Sequence, residues 1–314
     1  MDAGLLERGA DFLERWGLRQ EGAPMNGRVS VVLPVVCPDG RRAALKLQDI
    51  DDETAGEGLA LRTWDGDGCV HLLAEDAETG TLLLERLHEE RPLATVPDVM
   101  TATRILAELL ARLTALPAPA GLRRLDAITA GLFERLPPVL ATLQTAGADD
   151  EVRLLKDCAA AVREVADEPG DRLLHWDLHF ENVLAADREP WLVIDPKPLA
   201  GDPCFELLPA LWNRFEEGRL THRFDLMTEI LGVDRERARA WTLGRVLQNS
   251  LWRAEEGQAL NAEHVAIART LLGTGGPRRP APPAPRLPHR QHSVRPTRPA
   301  DRPAGLTEPG RSAR

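Results

Sequence analysis

The sequence predicts an α+β fold, in which a small sheet-rich part precedes a large helical part. Short runs of β-branched or alternating apolar residues, separated by turn signals, fill most of the first 90 residues. Beyond Arg91-Pro92 the apolar residues recur at helical spacing over much longer segments. Strands and helices that are segregated along the chain in this way are typical of the α+β class.

The sheet-rich part is predicted to contain two hairpins joined by a helix. A Pro-Asp-Gly turn at residues 38–40 separates the first two strands, and a Glu-Thr-Gly turn at residues 78–80 separates the last two. Four-residue spacing of Glu53, Glu57 and Leu61 indicates the helix. The predicted elements are strands Val29–Val36 and Arg42–Gln48, helix Asp52–Trp64, and strands Val70–Leu73 and Thr81–Leu87.

The helical part is predicted from one-sided leucine-rich patterns that stop at prolines and glycines. The first of them places six apolar residues on one face and ends before Pro117. The predicted helices are Val99–Leu116, Leu125–Leu143, Val152–Val165, Phe205–Phe215, Thr221–Leu231, Arg235–Trp252 and Ala262–Leu272. Two short strands, Arg172–Trp176 and Trp191–Ile194, are predicted between the third and fourth helices.

The chain divides into three predicted segments: a sheet-rich lobe at 1–87, a helical lobe at 88–272 and a disordered tail at 273–314. The tail holds ten prolines and nine arginines but only two acids, so it cannot bury enough apolar surface to fold. The whole chain has a formal charge of −10, and removing this basic tail leaves the body at −17. An acidic body argues against nucleic acid and favours cationic or neutral small partners.

Composition excludes several other classes of protein. No apolar run approaches the roughly 20 residues that span a bilayer, and residues 1–16 lack the pattern of a signal peptide. Four widely spaced cysteines without a Cys-x-x-Cys pair favour free thiols in the cytoplasm over disulfides or a zinc site. The sequence therefore predicts a cytoplasmic protein, and it leaves the oligomeric state open.

The basic residues are very unevenly chosen, with three lysines among 39 Lys and Arg. Arginine replaces lysine freely on a surface but not at a buried point-charge site. The lysines are Lys46, Lys156 and Lys197, and each is therefore a candidate for a specific role.

The most informative stretch is a His-x-Asp-x-x-x-x-Asn motif at residues 175–182, which has the spacing of a kinase catalytic loop. Thirteen residues later an apolar strand ends at Asp195. Phosphoryl transfer needs a carboxylate that orients the attacking hydroxyl and oxygen ligands that hold Mg²⁺. Asp177 suits the first role, whereas Asn182 and Asp195 suit the second.

The two histidines of the motif are assigned different roles. His175 is predicted to orient the loop through hydrogen bonds rather than to take part in chemistry. For His179, packing within the loop is favoured over a phosphate or metal contact.

The motif and the Val-Ile-Asp-Pro sequence at 193–196 resemble those of the aminoglycoside phosphotransferases. Flanking residues narrow the resemblance to the streptomycin 6-phosphotransferases of the aminoglycoside/hydroxyurea kinase family. These residues are Gly170–His179, Glu181–Ala186 and Arg188–Leu192. The resemblance covers nearly all of residues 25–270 but not the tail, and its catalytic-loop motif is specific for the superfamily rather than for one acceptor.

The resemblance implies a two-lobed protein-kinase-like fold with ATP bound in the cleft. Lys46 would then meet the ATP phosphates, and Glu57 would be its ion-pair partner. Glu53, one turn earlier on the predicted helix, is the alternative partner that spacing cannot exclude. Glu85 to Leu87 would form the hinge whose backbone binds adenine.

The chain departs from the kinase pattern at two places. Two glycines five residues apart, Gly22 and Gly27, stand where kinases carry a Gly-x-Gly-x-x-Gly loop, and Pro-Lys follows Asp195 instead of Phe-Gly. Lys197 of that dipeptide is either a phosphate ligand or a solvated loop lysine. The short segment 196–203 leaves no room for the activation segment of a protein kinase, which favours a small-molecule acceptor.

Two acids just beyond Asp195 are candidates for binding the guanidinium groups of streptomycin. They are Asp202 and Glu206, and helix capping is the competing role, above all for Asp202. Asn213, Asn249 and Trp252 are weaker candidates for the acceptor side.

The sequence thus predicts an ATP- and Mg²⁺-dependent phosphotransferase that acts on a hydroxyl of an aminoglycoside or aminocyclitol antibiotic. Streptomycin at its 6-hydroxyl is the favoured acceptor, with antibiotic resistance as the outcome. Another small acceptor such as hydroxyurea is the first alternative. A nucleotide-binding pseudoenzyme is the second, and the intact set of Lys46, Asp177, Asn182 and Asp195 argues against it.

Overall fold

The computed structural model describes residues 3–27 and 29–273, and within them a six-stranded antiparallel sheet builds the N-terminal lobe. Its strands are β1 (Arg19–Gln20), β2 (Met25–Asn26), β3 (Ser30–Val36), β4 (Arg42–Gln48), β5 (Leu72–Asp76) and β6 (Thr81–Glu85). They are ordered β1-β3-β4-β6-β5, and β2 pairs with β3. The predicted hairpins are therefore present, although β5 begins two residues later than predicted and β6 ends two residues earlier.

Each face of this sheet packs against a different helix. Helix α1 (Ala3–Arg15) packs on the face that carries Leu45 and Leu47 of β4. Because side chains alternate along a strand, Lys46 between them points to the opposite face. That face is the one covered by α2 (Glu57–Trp64), so the register of β4 places Lys46 beside α2.

Two differences from the predicted N-terminal lobe have local causes. Helix α1 was not predicted, although Leu5, Phe12 and Trp16 recur at helical spacing. The predicted helix Asp52–Trp64 begins only at Glu57, because the Asp51 carboxylate accepts hydrogen bonds from the Glu53 and Thr54 N–H groups and holds a turn there.

The C-terminal lobe is mainly helical and contains two small three-stranded sheets. Its helices are α3 (Val99–Leu113), α4 (Leu125–Thr145), α5 (Asp149–Arg163), α6 (Leu207–Trp212), α7 (Leu220–Leu231), α8 (Arg235–Glu255) and α9 (Ala262–Gly273). Its strands are β7 (His88–Pro92), β8 (Arg123–Arg124), β9 (Arg172–Leu174), β10 (Val183–Ala185), β11 (Trp191–Val193) and β12 (Leu199–Gly201). The predicted helix Phe205–Phe215 is shorter, because a 3₁₀ turn at Pro203–Glu206 precedes α6.

The small sheets position the predicted catalytic loop. The loop runs from the end of β9 to the start of β10, and Asp195 follows β11, the antiparallel partner of β10. Two hydrogen bonds tie this region to the N-terminal lobe: the Val70 N–H donates to the Val193 carbonyl at 2.9 Å, and the Val193 N–H donates to the Gly68 carbonyl at 3.0 Å. Residues 175–195 therefore lie where the lobes meet.

Other sequence predictions have mixed outcomes. None of the helices in the described ranges has the length and apolarity that crossing a bilayer requires. All four cysteines are free, as predicted, and the structure shows that they are buried. The lobe boundary at residue 87 stays a prediction, and the predicted tail lies outside the described residues beyond Gly273.

Candidate active site

His175 fixes the catalytic loop through both of its ring nitrogens. Its Nε2 donates to the Ile194 carbonyl at 3.0 Å, and its Nδ1 accepts from the Asp177 N–H at 3.3 Å. Only a neutral imidazole can make this pair of bonds, and burial lowers the pKa of His175 to about 4. The ring therefore holds the loop in place without titrating near neutral pH.

Asp177 and Asn182 are joined directly within the catalytic loop. The Asn182 Nδ2 donates to the Asp177 carbonyl at 2.9 Å, which leaves the Asn182 amide oxygen for another partner. The Asp177 side chain is 40% exposed, so a substrate can reach its carboxylate. His179 bonds to Glu181 at 2.9 Å, and its Nε2 lies 3.9 Å from Asp177 Oδ2.

Lys46 forms a buried ion pair with Glu57, at 2.7 Å from Nζ to Oε1. Gln48 donates to the second carboxylate oxygen of Glu57 at 2.6 Å. Burial alone would lower the pKa of Lys46, but Glu57 and Asp195 raise it above its ordinary value. Of the two glutamates that spacing left open, the structure pairs Glu57 with Lys46. Glu53 lies in the turn before α2.

Asp195 brings the C-terminal lobe to the same lysine. Its Oδ1 lies 2.5 Å from the Nζ of Lys46 and 3.2 Å from the Nζ of Lys197. Burial disfavours the charged carboxylate, yet the two lysines lower the pKa of Asp195 to about 2. The group is therefore an anion at any physiological pH. Lys197 is buried in this cluster instead of being a solvated loop lysine.

A cavity of about 270 Å³ connects these groups with the hinge between the lobes. Its lining includes Lys46, Asn182 and Asp195 together with Met25–Gly27, at and just after β2, and Glu85–Leu87 of the predicted hinge. The Glu85 carboxylate is itself paired with Arg188, at 3.0 Å from Oε2 to Nε. One cavity is thus lined by the residues that the sequence assigned to nucleotide and metal, except Glu57, which is buried and bonded to Lys46.

The donor set of Asn182 and Asp195 fits Mg²⁺. One amide oxygen and one ionised carboxylate are hard oxygen ligands, and Mg²⁺ takes one or two such protein ligands together with substrate phosphates and water. The described residues contain no group of three or more His, Cys, Asp or Glu side chains that could hold a metal ion alone. This donor set therefore suits a metal that binds together with a phosphorylated ligand.

Trp176, between His175 and Asp177, has a backbone conformation that bulky residues rarely adopt. Its φ of 72° lies in the left-handed region, which costs about 1–2 kcal/mol for a residue with a Cβ. The Trp176 N–H donates to Glu206 Oε1 at 2.7 Å, and the Arg245 guanidinium stacks 3.7 Å from the centre of its ring. These contacts hold the strained residue and thereby fix the position of Asp177.

The sequence assigned Asp202 to the acceptor, and the structure corrects this. Asp202 is buried, where one carboxylate oxygen caps the 3₁₀ turn by accepting from the Cys204 N–H at 2.8 Å. The other oxygen pairs with Arg237 at 2.5 Å. Both oxygens are used within the protein, so capping, the competing role, is the one observed.

Glu206 also differs from its predicted role of binding an exposed guanidinium. It is fully buried beneath the catalytic loop and bonds to the loop backbone at Trp176. Of the weaker candidates, Asn213 accepts from the Phe180 N–H at 3.3 Å, and Trp252 is partly exposed under Arg135. Asn249 is half-buried on α8.

A sequence profile of the aminoglycoside/hydroxyurea antibiotic resistance kinases matches residues 15–257. The chain belongs to the aminoglycoside/hydroxyurea antibiotic resistance kinase family. It is 60% identical over 276 residues to a hydroxyurea phosphotransferase from Kitasatospora aureofaciens, which covers 87% of this chain and 80% of that protein. It is 50% identical over 272 residues to a streptomycin 6-kinase from Streptomyces glaucescens, which covers 84% of this chain and 88% of that protein. This kinase is therefore a phosphotransferase.

The fold of this kinase also has a solved counterpart. A macrolide 2'-phosphotransferase from Brachybacterium faecium superposes with a TM-score of 0.54 at 21% identity, over 88% of this chain and all of that chain. The predicted two-lobed, kinase-like α+β fold is confirmed.

The sequence alone did not identify two residues near the catalytic loop, Trp176 and Arg245. Trp176 stands inside the motif, and only its positive φ reveals its strain. Arg245 was hidden because this chain uses arginine at nearly every basic position. An available signal was its place among apolar residues on one face of α8.

Glu206→Gln is expected to remove a pH dependence from the stability of this kinase. Burial raises the pKa of Glu206 to about 7 from an ordinary value of 4.5. Between these values the folded protein keeps a proton that the unfolded chain has lost. The contribution of this carboxyl to stability is therefore full below pH 4.5 and is lost as pH rises through 7. Urea unfolding should show a loss of on the order of 2–3 kcal/mol from pH 5 to 8 that wild type has and the glutamine variant lacks. Parallel pH profiles would contradict it.

Proposed function

We propose that this kinase transfers the γ-phosphoryl group of ATP to a hydroxyl group of a small antibiotic. One observation carries the proposal: Lys46, Asn182 and Asp195 line one cavity, and Asn182 is bonded to Asp177, whose carboxylate is exposed. Phosphoryl transfer depends mainly on positioning and on charge stabilisation, and these residue types supply both.

Lys46 and Glu57 prepare the phosphate side of the cleft. The Glu57 carboxylate keeps the Lys46 ammonium charged and fixes its position, so that the ammonium can align the phosphates of ATP. Asn182 and Asp195 would hold Mg²⁺, which when bound neutralises negative charge on the phosphates. The negative charge of Asp195, secured by Lys46 and Lys197, suits it for this role.

Asp177 acts on the acceptor. Its carboxylate orients the acceptor hydroxyl and takes its proton as the bond from oxygen to the γ-phosphorus forms. The bond from the γ-phosphorus to the bridging oxygen breaks, and ADP leaves with the electron pair. His175 and Glu206 keep the loop backbone fixed during this step, through Asp177 N–H and Trp176 N–H respectively.

Streptomycin, at its 6-hydroxyl, is the first acceptor that we propose. The streptomycin 6-kinase relative at 50% identity supports it, as does the charge of −17 on residues 1–272. Exposed Asp51 and Asp52 lie before α2, where with Glu53 they act electrostatically on Arg123. A negative field of this kind draws in a cationic acceptor that carries guanidinium groups.

Hydroxyurea is the second acceptor that we propose. It is supported by the hydroxyurea phosphotransferase relative, whose identity of 60% is the higher of the two. Release of ADP in the presence of ATP and Mg²⁺ should be measured with each acceptor, and the product should be identified by mass spectrometry. We expect phosphorylated streptomycin and a kcat/KM for streptomycin above that for hydroxyurea. A higher value for hydroxyurea would reverse the ranking, and ADP release that neither compound increases would contradict the proposed function.

A further inference from the structure

One face of α8 carries polar side chains deep inside the C-terminal lobe. Trp241, Arg245 and Gln248 follow one another at four and three residues, so they share that face. Arg245 is only 5% exposed and Gln248 only 3%. The backbone N–H and C=O groups of α8 bond to one another within the helix. These side chains therefore need hydrogen-bond partners from other elements.

They do not find them among the described residues. The Nε and Nη1 of Arg245, Oε1 of Gln248 and Oε2 of Glu206 are buried and lack a hydrogen-bond partner in the part of the chain that the structure describes. The same is true of both ring nitrogens of His264 on α9. Glu206 and His264 interact electrostatically with Arg245, and Gln248 follows Arg245 on the same face of α8. Buried polar atoms are nearly always paired in folded proteins, so these unpaired groups indicate a bound ligand or ordered water. We refer to Glu206, Arg245, Gln248 and His264 as the buried polar cluster.

The buried polar cluster adjoins the catalytic carboxylate. The Arg245 guanidinium lies 3.7 Å from the ring centre of Trp176, the residue before Asp177. Burial lowers the pKa of Arg245 to about 10, against the opposing effect of the Asp177 and Glu206 carboxylates. Both carboxylates are therefore near enough to act on the guanidinium.

The other end of the cluster approaches the protein surface. His264 stacks edge-on against Trp212, with ring centroids 5.4 Å apart, and Trp212 is 40% exposed. The pKa of His264 is lowered to about 4 by burial and further by the charge of Arg245, so the ring is neutral. Polar groups thus extend from Asp177 towards an exposed aromatic ring.

We infer that the buried polar cluster binds an uncharged, oxygen-bearing part of the acceptor next to the hydroxyl that is phosphorylated. Arg245 offers N–H donors to a hydroxyl or carbonyl oxygen, while Gln248 Oε1 accepts from an adjacent O–H or N–H group. A cationic group of the acceptor is disfavoured beside Arg245, because it would face the guanidinium. Ring hydroxyls of an aminocyclitol and the carbonyl of a urea both have this chemistry. The inference rests on the proposed function.

Gln248→Leu tests the inference, because leucine fills similar space without an accepting oxygen. We expect the KM for the acceptor to rise by at least about tenfold, as for a lost buried hydrogen bond. The KM for ATP and the slow ATP hydrolysis without acceptor should stay within about twofold, since the cluster lies outside the nucleotide cleft. Streptomycin and hydroxyurea should be assayed separately, so that the two sources of this chemistry are distinguished.

Ser250→Ala is the matched control. Ser250 is a buried residue of α8 whose Oγ also lacks a partner in the described part of the chain, but it lies on the opposite face of the helix from Gln248. We expect no change in either KM. If Gln248→Leu folds poorly by thermal unfolding, His264→Phe gives the same test at the outer end and keeps the ring against Trp212.

The outcomes separate the inference from the proposed function. An acceptor KM within twofold of wild type in Gln248→Leu and His264→Phe would mean that the cluster holds only water, and would overturn the inference while leaving the function intact. Equal effects of Gln248→Leu and Ser250→Ala would also overturn it. A wild-type enzyme that phosphorylates neither acceptor would overturn the proposed function, and this inference with it.

Discussion

Asp177→Asn lowers kcat for phosphoryl transfer by about a thousandfold, within the range that general bases contribute. The amide keeps the size of the side chain but cannot take the proton of the acceptor hydroxyl. The Asp177 side chain takes no part in the loop-fixing bonds, which use its N–H and carbonyl, so the loop should keep its conformation. The Kd for ATP, measured by calorimetry, should therefore be nearly unchanged.

Asp171→Asn is the control for this substitution. Asp171 lies just before β9, which leads into the loop, and its side chain is 87% exposed. It should leave kcat unchanged. A kcat for Asp177→Asn that equals wild type would remove Asp177 from the mechanism.

We expect Lys46→Met to lower the free energy of unfolding and also to abolish activity. The substitution leaves Glu57, which is 1% exposed, without its cation. Removing one partner of a buried ion pair typically costs about 3–5 kcal/mol, because the remaining charge stays desolvated. Asp195 loses one of its two cations as well and keeps only Lys197, at 3.2 Å. Unfolding in urea at neutral pH measures the first effect, and the rate of ADP release measures the second.

Lys156→Met provides the comparison within the same chain. Lys156 is an exposed lysine on α5, and its loss should change the free energy of unfolding by less than about 0.5 kcal/mol. The double variant Lys46→Met/Glu57→Gln should recover part of the stability but none of the activity. Equal destabilisation by the two lysine substitutions would show that the buried pair is not the source of the effect.

The sequence alone was sufficient to predict which groups lie together where their spacing is short. His175, Asp177 and Asn182 lie within eight residues, so one loop had to hold them together whatever the rest of the fold. Lys46 was identified twice, by the family resemblance and by the rarity of lysine. The alternation of side chains along β4 then placed it on the cleft face.

Choices between neighbouring acids could not be made in this way. Glu53 and Glu57 share a helical face on paper, and only the turn at Asp51 starts the helix late and leaves Glu57 beside Lys46. Asp202 and Glu206 both follow Asp195 closely, yet both carboxylates face the protein interior. Each binds a partner there that the sequence does not identify. For Asp202 the distant partner is Arg237.

The acceptor side was the least predictable part for a physical reason. Its polar groups come from α8, α9 and the 3₁₀ turn. A helical pattern in the sequence indicates which face is buried, but not which residues of other elements pack against that face. Arg245 and Gln248 interrupt an otherwise apolar face, but the sequence does not place that face beside Trp176. Long-range packing of this kind is visible only in the folded structure.

The most direct test of the central claim is to follow where the γ-phosphoryl group goes. Wild type and Asp177→Asn are incubated with ATP, Mg²⁺ and streptomycin or hydroxyurea, and the products are identified by ³¹P NMR. The account predicts a phosphate ester on the acceptor hydroxyl with wild type, and almost none with the variant in the same time. Inorganic phosphate alone with wild type, or equal ester formation by both proteins, would contradict it.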